Sequence, residues 1–442
     1  MINKIINKLK NNNIAILGFG KEGKSTYNFI RRYLPDIKLT VIDKNEISLI
    51  DNNITIISGD DYLDNINNYD LIIKSPGISL KDIDIDEEKI TSQLELLLEV
   101  DKDNIIGITG TKGKSTTSSL IYEVIKNQYD NTYLVGNIGT PIFDEIELFD
   151  KDSLLVVEMS SHQLEYIKYS PHIAVMVNLY IDHLDHDGSI EKYHKNKMNI
   201  FKYQNSNDYS IYADDNDYLI KEMNSYDYKG IKYTVRFDYN NLGNNSIRIK
   251  DKDIYFEDKI IYTDDKRKIL GDHNLKNIMF VLGVGIILDL DISKCGDVIK
   301  EFNGLKYRME FIGKQHDIYF YNDTIATIPE ATINAIETIG NVDTLIFGGL
   351  DRGLDYNEFI KYLNSSNISN FICMPTTGNI IGKQLINKNI YFVNTLEEAY
   401  KTSLECTKKN MSCLLSPAAA SYEYFKNFEE KGKLFEELVK RD

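Results

Sequence analysis

The chain has 442 residues, of which 42% are hydrophobic, and a formal net charge of −16 at pH 7. This length exceeds what one hydrophobic core holds, so we expect two or three domains. The negative charge argues against nucleic acid or an anionic membrane as a partner. With no long apolar run and no signal-peptide core at the N-terminus, the sequence predicts a cytoplasmic protein. Its four scattered cysteines predict reduced thiols rather than a disulfide or zinc site.

A glycine-rich turn at 18–23 follows the first strand-like run of the chain and precedes a helical segment. Asp43 ends the next strand-like run, which completes the layout of a dinucleotide-binding fingerprint. Lys21 and Lys24 favour a diphosphate near this turn, and Ser75-Pro76-Gly77 ends a third strand of the same sheet. Another phosphate site, or glycines that only make tight turns, remain the alternatives.

A short phosphate-binding loop follows the apolar run at 105–108 and opens a helix near Ser115. Backbone N–H groups in such a turn, together with the helix N-terminus, form a concave anion site. Lys114 is expected to reach the terminal phosphates of a nucleotide, and the Ser115 hydroxyl to ligate Mg²⁺. The loop is shorter than the usual form because Ile108 replaces the early glycine. Its residues are Gly110, Thr111, Lys112, Gly113, Lys114, Ser115 and Thr116.

Acidic and histidine side chains follow the next two buried strands. Glu158 ends the apolar run at 153–157, where a carboxylate would hold Mg²⁺ opposite Ser115. The run at 173–177 leads into a His/Asp cluster at 178–186, which suits a metal or catalytic edge. The following helix carries Lys192, Lys195 and Lys197, and the residues alone do not distinguish among these three lysines.

The last third of the chain again alternates strand-like and helical segments. Strands are predicted to end at Asp323, at a glycine-rich stretch at 348–353 and at 416–421. Because ligands of open α/β sheets lie at the carboxyl ends of the strands, these three ends predict a second substrate site.

Alternation of apolar runs with helix-length segments predicts an α/β fold with three domains. The first, residues 1–97, and the third, residues 305–442, are expected to be Rossmann-like. The central domain, residues 98–304, is expected to be a mostly parallel, ATPase-like sheet that contains the phosphate-binding loop.

In this order, these motifs resemble those of the Mur ligases, which use ATP to build the peptide of bacterial cell-wall precursors. The resemblance covers essentially the whole chain. Its most specific segments are 110–116, 136–139, 158–164, 271–274 and 416–428. The last of these favours the member of the family that adds D-glutamate.

The resemblance implies a ligase of peptidoglycan synthesis, and hence of cell shape and division. Its substrates would be ATP, UDP-N-acetylmuramoyl-L-alanine and D-glutamate, with two Mg²⁺ ions, and the protein is expected to be a monomer. ATP would phosphorylate the muramoyl carboxylate, and the amine of D-glutamate would displace phosphate from the acyl phosphate.

The family motifs also imply roles for single residues. Lys114, His183 and Lys197 would be catalytic, with Lys197 carbamylated. The metal ligands would be Ser115, Glu158, His183 and Lys197. Besides the loop, ATP would contact Asn274, Arg308 and Asp323. The substrates would contact Lys21, Glu22, Asp43, Ser75, Gly77, Asn137, Ser160, Thr327, Arg352, Ser421 and Phe428. Ile325 stands where many relatives carry lysine, and Arg352 would supply a forked cation instead.

Three other interpretations remain open. Folylpolyglutamate synthetase is a related ligase, although the N-terminal block argues against it. An NAD-dependent oxidoreductase would use 18–23 and Asp43 but would leave Glu158 and the phosphate-binding loop unexplained. A nucleotide-sensing protein would keep the loop without the chemistry.

Overall fold

The structure is a computed structural model that describes residues 1–138, 140–180, 189–240, 243–269, 271–351, 354–421 and 425–441. The chain forms two compact units. The first comprises residues 1–266 and 273–300, and the second comprises residues 267–272 and 301–442. Strands and helices alternate through both units, which confirms the predicted α/β class. The predicted boundaries at 97/98 and 304/305 remain predictions.

The first sheet lies at the start of the chain. Its strands are β1 (Ile14–Leu17), β2 (Leu39–Asp43), β3 (Ile54–Ser58), β4 (Leu71–Lys74) and β5 (Ile90–Thr91). They pair in the order β3-β2-β1-β4-β5, and every pair is parallel. The accompanying helices are α1 (Ile2–Leu9), α2 (Lys21–Tyr33) and α3 (Gln93–Asp101).

The second sheet has nine strands, which are β6 (Ile105–Thr109), β7 (Thr132–Gly136), β8 (Leu154–Glu158), β9 (Ile173–Met176), β10 (Tyr209–Ala213), β11 (Ile231–Arg236), β12 (Ser246–Lys250), β13 (Asp253–Phe256) and β14 (Lys259–Thr263). Their order is β14-β13-β12-β11-β10-β9-β6-β8-β7. Among the described strands of this sheet, only the pairs β12·β13 and β13·β14 are antiparallel. The helices are α4 (Lys114–Lys126), α5 (Ile142–Glu145), α6 (Ser161–Leu164), α7 (Ile190–Lys202), α8 (Asp217–Ser225), α9 (Asp272–Ile287) and α10 (Ile292–Glu301).

The third sheet forms the second compact unit. Its strands are β15 (Glu310–Gln315), β16 (Ile318–Asn322), β17 (Val342–Phe347), β18 (Asn370–Cys373), β19 (Asn389–Phe392) and β20 (Ser412–Leu415). They pair in the order β15-β16-β20-β17-β18-β19, with only β15 antiparallel to its neighbour. The helices are α11 (Pro329–Ile339), α12 (Asn357–Ser365), α13 (Thr377–Gly382), α14 (Leu396–Cys406) and α15 (Phe428–Arg441).

Buried central strands explain the apolar runs in the sequence. β1, β6, β17 and β20 are buried at every residue, as expected for parallel strands covered on both faces. In each sheet the chain leaves a central strand and returns on either side of it, which opens a crevice at the carboxyl ends of the strands. The sequence motifs at 18–23, 110–116 and 416–421 follow the central strands β1, β6 and β20.

All four cysteines are free, and only Cys406 is partly exposed. Within the described residues, no helix combines the length and the apolar character that a membrane span requires.

Candidate active site at the carboxyl ends of the strands

The phosphate-binding loop joins β6 to α4 through tight backbone turns. Gly110 and Gly113 have φ values of +156° and +81°. A Cβ atom on Gly113 would lie 2.8 Å from Oδ1 of Asn277 on α9, so a larger residue there would displace the Asn277 side chain and would also have to adopt a positive φ. The loop thus places the first N–H groups of α4, which lack intrahelical partners, around a concave space.

Asn178, just after β9, braces this loop. Its Oδ1 accepts hydrogen bonds from the N–H groups of Thr111 (3.1 Å) and Lys112 (2.9 Å), and its Nδ2 donates to the Lys112 carbonyl (3.0 Å). Two loop amides are therefore already satisfied by a side chain. This leaves anion binding to the amides from Gly113 onward, including those of Ser115 and Thr116, a division that the motif did not reveal.

Two lysine side chains converge on one carbonyl oxygen of the loop. Lys114 Nζ donates to Gly110 O at 3.0 Å, and Lys197 Nζ, from α7, donates to the same oxygen at 2.9 Å. Lys197 is 1% exposed and also contacts Thr109 Oγ1 at 3.5 Å. Two ammonium groups that share an acceptor repel each other, so a bound anion, or conversion of one lysine to an anion, would relieve the repulsion.

Glu158 is buried at the end of β8, next to β6. Its residue is 1% exposed, and its register partner on β6 is Ile108. Asn137 Nδ2 donates to Oε1 at 2.7 Å, while Oε2 has no hydrogen-bond partner among the described residues. A buried carboxylate oxygen without a donor suits a hard cation such as Mg²⁺. Glu158 therefore fits the role of a metal ligand.

The N-terminal glycine turn is held by its neighbours in the first sheet. Asp43 Oδ2 accepts the N–H of Phe19 at 2.6 Å, and Ser75 Oγ donates to Gly18 O at 2.9 Å. A Cβ on Gly23 would lie only 1.9 Å from Gly18 O. Asp43 and Ser75 thus brace the turn, whereas Lys21 and Gly77 are exposed beside it.

Glu22 is partly buried in the first turn of α2. Its carboxyl accepts a hydrogen bond from Gln163 and lies near Lys74, and burial raises its pKa to about 7. Gln163 belongs to the capping box of α6, in which Ser160 Oγ accepts the Gln163 N–H at 3.2 Å. The sequence indicated Glu22 and Ser160 as separate contacts, but the structure brings them together through Gln163.

The third sheet carries a buried carboxyl group at the end of β16. Asp323 accepts hydrogen bonds from Ser416 Oγ (2.7 Å) and from the N–H of Met309 (3.1 Å). Burial raises its pKa to about 7, which nearby Arg308 counteracts only in part.

Other predicted residues of the third sheet lie around this end. Ser421 is 4% exposed, and its Oγ has no hydrogen-bond partner among the described residues. Phe428 begins α15, with its ring edge-on to Tyr307 at 6.2 Å, and Thr327 is partly buried. On α9, in the first unit, Asn274 Oδ1 accepts a hydrogen bond from Asn277 at 3.2 Å. His183 and Arg352 lie outside the described residues.

Sequence reasoning missed several polar residues of these edges. Asn178 and Gln163 lie inside motifs that were noted for other residues, and only their hydrogen bonds reveal what they do. Lys74 and Lys431 are buried lysines, 4% and 1% exposed, that sequence reasoning did not single out. A lysine directly after an apolar strand was the available signal for Lys74.

Comparison with known proteins identifies the class first. Residues 108–285 match the model of the Mur ligase middle domain. The fold is that of solved Mur ligases: a UDP-N-acetylmuramate–alanine ligase from Thermotoga maritima aligns with TM-score 0.57 at 19% identity, covering 98% of this chain and 100% of that one. An ADP complex of the ligase MurF from the same organism aligns with TM-score 0.55 at 16% identity, over 98% and 96% of the two chains.

Closer relatives are found among curated sequences. The UDP-N-acetylmuramoylalanine–D-glutamate ligase of Clostridioides difficile (strain 630) is 31% identical over 98% of this chain and 99% of its own length. The ligase of the same name from Thermoanaerobacter sp. (strain X514) is 33% identical over 98% and 99%. The chain therefore belongs to the Mur ligase family and resembles, over its whole length, the ligases of this name. The predicted family and the predicted ligase class are confirmed, and the oxidoreductase alternative is not favoured.

Proposed function

We propose that this protein joins D-glutamate to UDP-N-acetylmuramoyl-L-alanine at the expense of ATP, in the cytoplasm, during synthesis of the peptidoglycan precursor. The observation that carries the proposal is the convergence of Lys114 and Lys197 on Gly110 O. The two ammonium groups at this oxygen would stabilise the negative charge of a triphosphate and of a reacting carboxylate. The named relatives, which match the chain from end to end, supply the choice of substrates.

The reaction would proceed in two covalent steps. A carboxylate oxygen of the muramoyl-alanine attacks the terminal phosphorus of ATP, and the bond to ADP breaks. The amine of D-glutamate then attacks the acyl carbon, forms a tetrahedral intermediate and loses a proton, and phosphate leaves as the C–O bond breaks. Lys114 and the α4 amides would hold the transferred phosphate, because cationic and N–H donors stabilise the charge that accumulates there.

Metal ions fit the buried acceptors of this edge. Ser115 and Glu158, whose Oε2 is without a donor among the described residues, would hold one Mg²⁺. A second ion would involve His183 and Lys197, the latter as a carbamate. Such ions neutralise phosphate charge and polarise the phosphoryl oxygens. Lys197 is buried beside Gly110, where carbamylation would replace its ammonium group with an anionic one.

Different parts of the substrates would contact residues of different sheets. Lys21, Glu22, Asp43, Ser75 and Gly77 would form the end of the cleft that receives the uridine diphosphate. Asn137 and Ser160 would contact the muramoyl-alanine, and Asn274, Arg308 and Asp323 the nucleotide. The amino acid would meet Thr327, Arg352, Ser421 and Phe428, where the unpartnered Ser421 hydroxyl suits a carboxylate. We also propose three domains divided at 97/98 and 304/305, and a monomer.

A phosphate-release assay tests the proposal. The protein is incubated with ATP, Mg²⁺ and UDP-N-acetylmuramoyl-L-alanine, with D-glutamate, with L-glutamate or with neither. Phosphate release that requires D-glutamate supports the proposal, and release equal to the control without amino acid overturns it. A parallel reaction with a folate and L-glutamate reports folylpolyglutamate synthetase activity, which we expect to be absent.

A further inference from the structure

A buried carboxylate joins the first sheet to the helices of the second. Glu165 follows α6, and its Oε1 lies 2.9 Å from Nζ of Lys192 on α7. Its Oε2 lies 3.9 Å from Nζ of Lys74, the last residue of β4, and both side chains of this pair are 3% exposed. Lys74 also lies over the ring of Tyr166, 5.6 Å from its centroid. One side chain therefore connects a strand and two helices.

The connection extends to the other side of Lys74. Glu22, in the first turn of α2, interacts with Lys74 and accepts a hydrogen bond from Gln163. Gln163 closes the capping box of α6 with Ser160. A continuous chain of polar side chains thus runs from Ser160 through Glu22 and Lys74 to Glu165.

The buried Lys74–Glu165 pair is not expected to contribute much to the free energy of unfolding by itself. Removing charged groups from water carries a large desolvation penalty, and well-packed apolar residues of similar size are often at least as stabilising. The Lys74–Glu165 distance of 3.9 Å is too long for a hydrogen bond, and Glu165 Oε2 accepts none among the described residues. Buried ion pairs of this kind can instead fix one geometry among several that apolar packing would tolerate.

The geometry that it fixes belongs to the proposed substrate cleft. α6 bears Ser160 at its N-cap, and α7 bears Lys197. Asn199 Nδ2 donates to Leu164 O at 2.9 Å, so the two helices are tied to each other. A long substrate that is held at its nucleotide end by the first sheet must present its carboxylate to the phosphate-binding loop. Its reach depends on where α6 lies relative to β4.

We propose that Lys74 and Glu165 are positioning residues for the UDP-linked substrate, holding α6 and α7 against the first sheet without touching the reacting atoms. This inference rests on the proposed function for the identity of the substrate. It assigns to the pair a role in substrate affinity and not in the chemical steps.

The chain offers a matched control. Lys168 Nζ lies 2.8 Å from Oε2 of Glu88, a pair that spans the same two parts of the first unit. Its side chains are 34% and 82% exposed, so solvent screens the interaction. Lys168→Met therefore removes a connecting ion pair that is not buried.

The kinetic test compares Lys74→Met, Glu165→Gln and Lys168→Met with the wild type. We expect Lys74→Met and Glu165→Gln to raise KM for the UDP-linked substrate about tenfold, with kcat and the KM values for ATP and D-glutamate within about twofold. The double variant should be no worse than the single ones, because the two residues act as a unit. Lys74→Arg should recover most of the affinity. Equal effects on all three substrates, or no difference from Lys168→Met, would overturn the proposal.

Hydrogen exchange of the ligand-free protein separates this inference from the proposed function. We expect amides of α6 and α7 to exchange faster in Lys74→Met than in the wild type or Lys168→Met. If the wild type released no phosphate, the proposed function would fail, but faster exchange would still support the positioning role. Unchanged exchange would overturn that role whatever the activity.

Discussion

Two buried lysines, each on a helix, donate to the carbonyl of the first glycine after a parallel strand, one in the second sheet and one in the third. Lys197 donates to Gly110 after β6 at 2.9 Å, and Lys431 donates to Gly348 after β17 at 3.0 Å. Each lysine is 1% exposed. Both side chains therefore lie at the edge where α/β sheets bind their ligands.

Their surroundings differ. Gly110 O also accepts a hydrogen bond from Lys114, so Lys197 stands in a group of cations. Near Lys431 the structure offers the ring of Phe425 at 5.8 Å, and burial alone lowers the pKa of the amine to about 7. The same local contact thus serves two purposes. We infer that the positive charge at Gly110 serves an anionic ligand, whereas at Gly348 the side chain mainly supports the backbone.

Removing the Lys114 ammonium group that contacts Gly110 O should have the largest effect on activity. Lys114→Ala is expected to lower the rate of phosphate release at least about a thousandfold, because it removes a cation that would stabilise the transferred phosphate. Lys126→Ala is the control on the same helix, where the exposed lysine donates to Tyr122 OH at 2.7 Å. Far-ultraviolet circular dichroism should be unchanged in both variants. A Lys114→Ala protein with near wild-type turnover would remove the basis of the functional proposal.

The second cation at Gly110 allows chemical rescue. Lys197→Ala should lose about a hundredfold or more in kcat, since a buried anionic metal ligand would be missing. Short carboxylic acids should restore part of the activity by occupying the space of the carbamate. The same acids should not rescue Lys431→Ala, because that lysine holds a backbone carbonyl. Full activity of Lys197→Ala would show that the carbamate assignment is wrong.

The fold class and the phosphate-binding loop could be predicted from the sequence because both depend on local patterns. The continuous apolar runs that became β6, β8 and β9 predicted buried parallel strands. The loop at 110–116 has the spacing that its backbone geometry requires. The order of the motifs along the whole chain then predicted the family, and the full-length relatives confirmed it.

The buried charges could not be predicted in the same way. Lys431 lies in a segment rich in Lys and Glu that is typical of a solvated helix, yet the first turns of α15 pack onto β16 through a bond from Asn322 Nδ2 to Gly432 O (2.9 Å). Lys74 and Glu165 are far apart along the chain, so nothing local indicates their pairing. Such contacts arise only when separate elements come together.

Asp323, a buried titratable group of the third sheet like Lys431, should make the stability of the protein depend on pH. The folded-state pKa of Asp323 is raised from 3.8 to about 7, so the folded protein retains a proton that the unfolded chain releases. Stability should therefore fall as pH rises from about 4 to about 7 and then level off. Between about pH 5 and pH 8, we expect the wild type to lose about 2 kcal/mol more than Asp323→Asn in urea unfolding. The exposed Glu337→Gln should follow the wild type, and parallel pH profiles of wild type and Asp323→Asn would contradict the assignment.

The smallest effect is expected at Lys431 itself. Lys431→Met removes the bond to Gly348 O but keeps the volume of the side chain, so the loop that leads to Arg352 loses one support. Gly348 remains held by its N–H bond to Pro417 O at 2.9 Å, which limits the displacement. We therefore expect KM for D-glutamate to rise about fivefold, with kcat and KM for ATP within about twofold. Lys433→Met, exposed on the same helix, is the control. A hundredfold loss of kcat in Lys431→Met would place this lysine with Lys197 among the groups that the chemistry needs, and the distinction between the two lysines would fall.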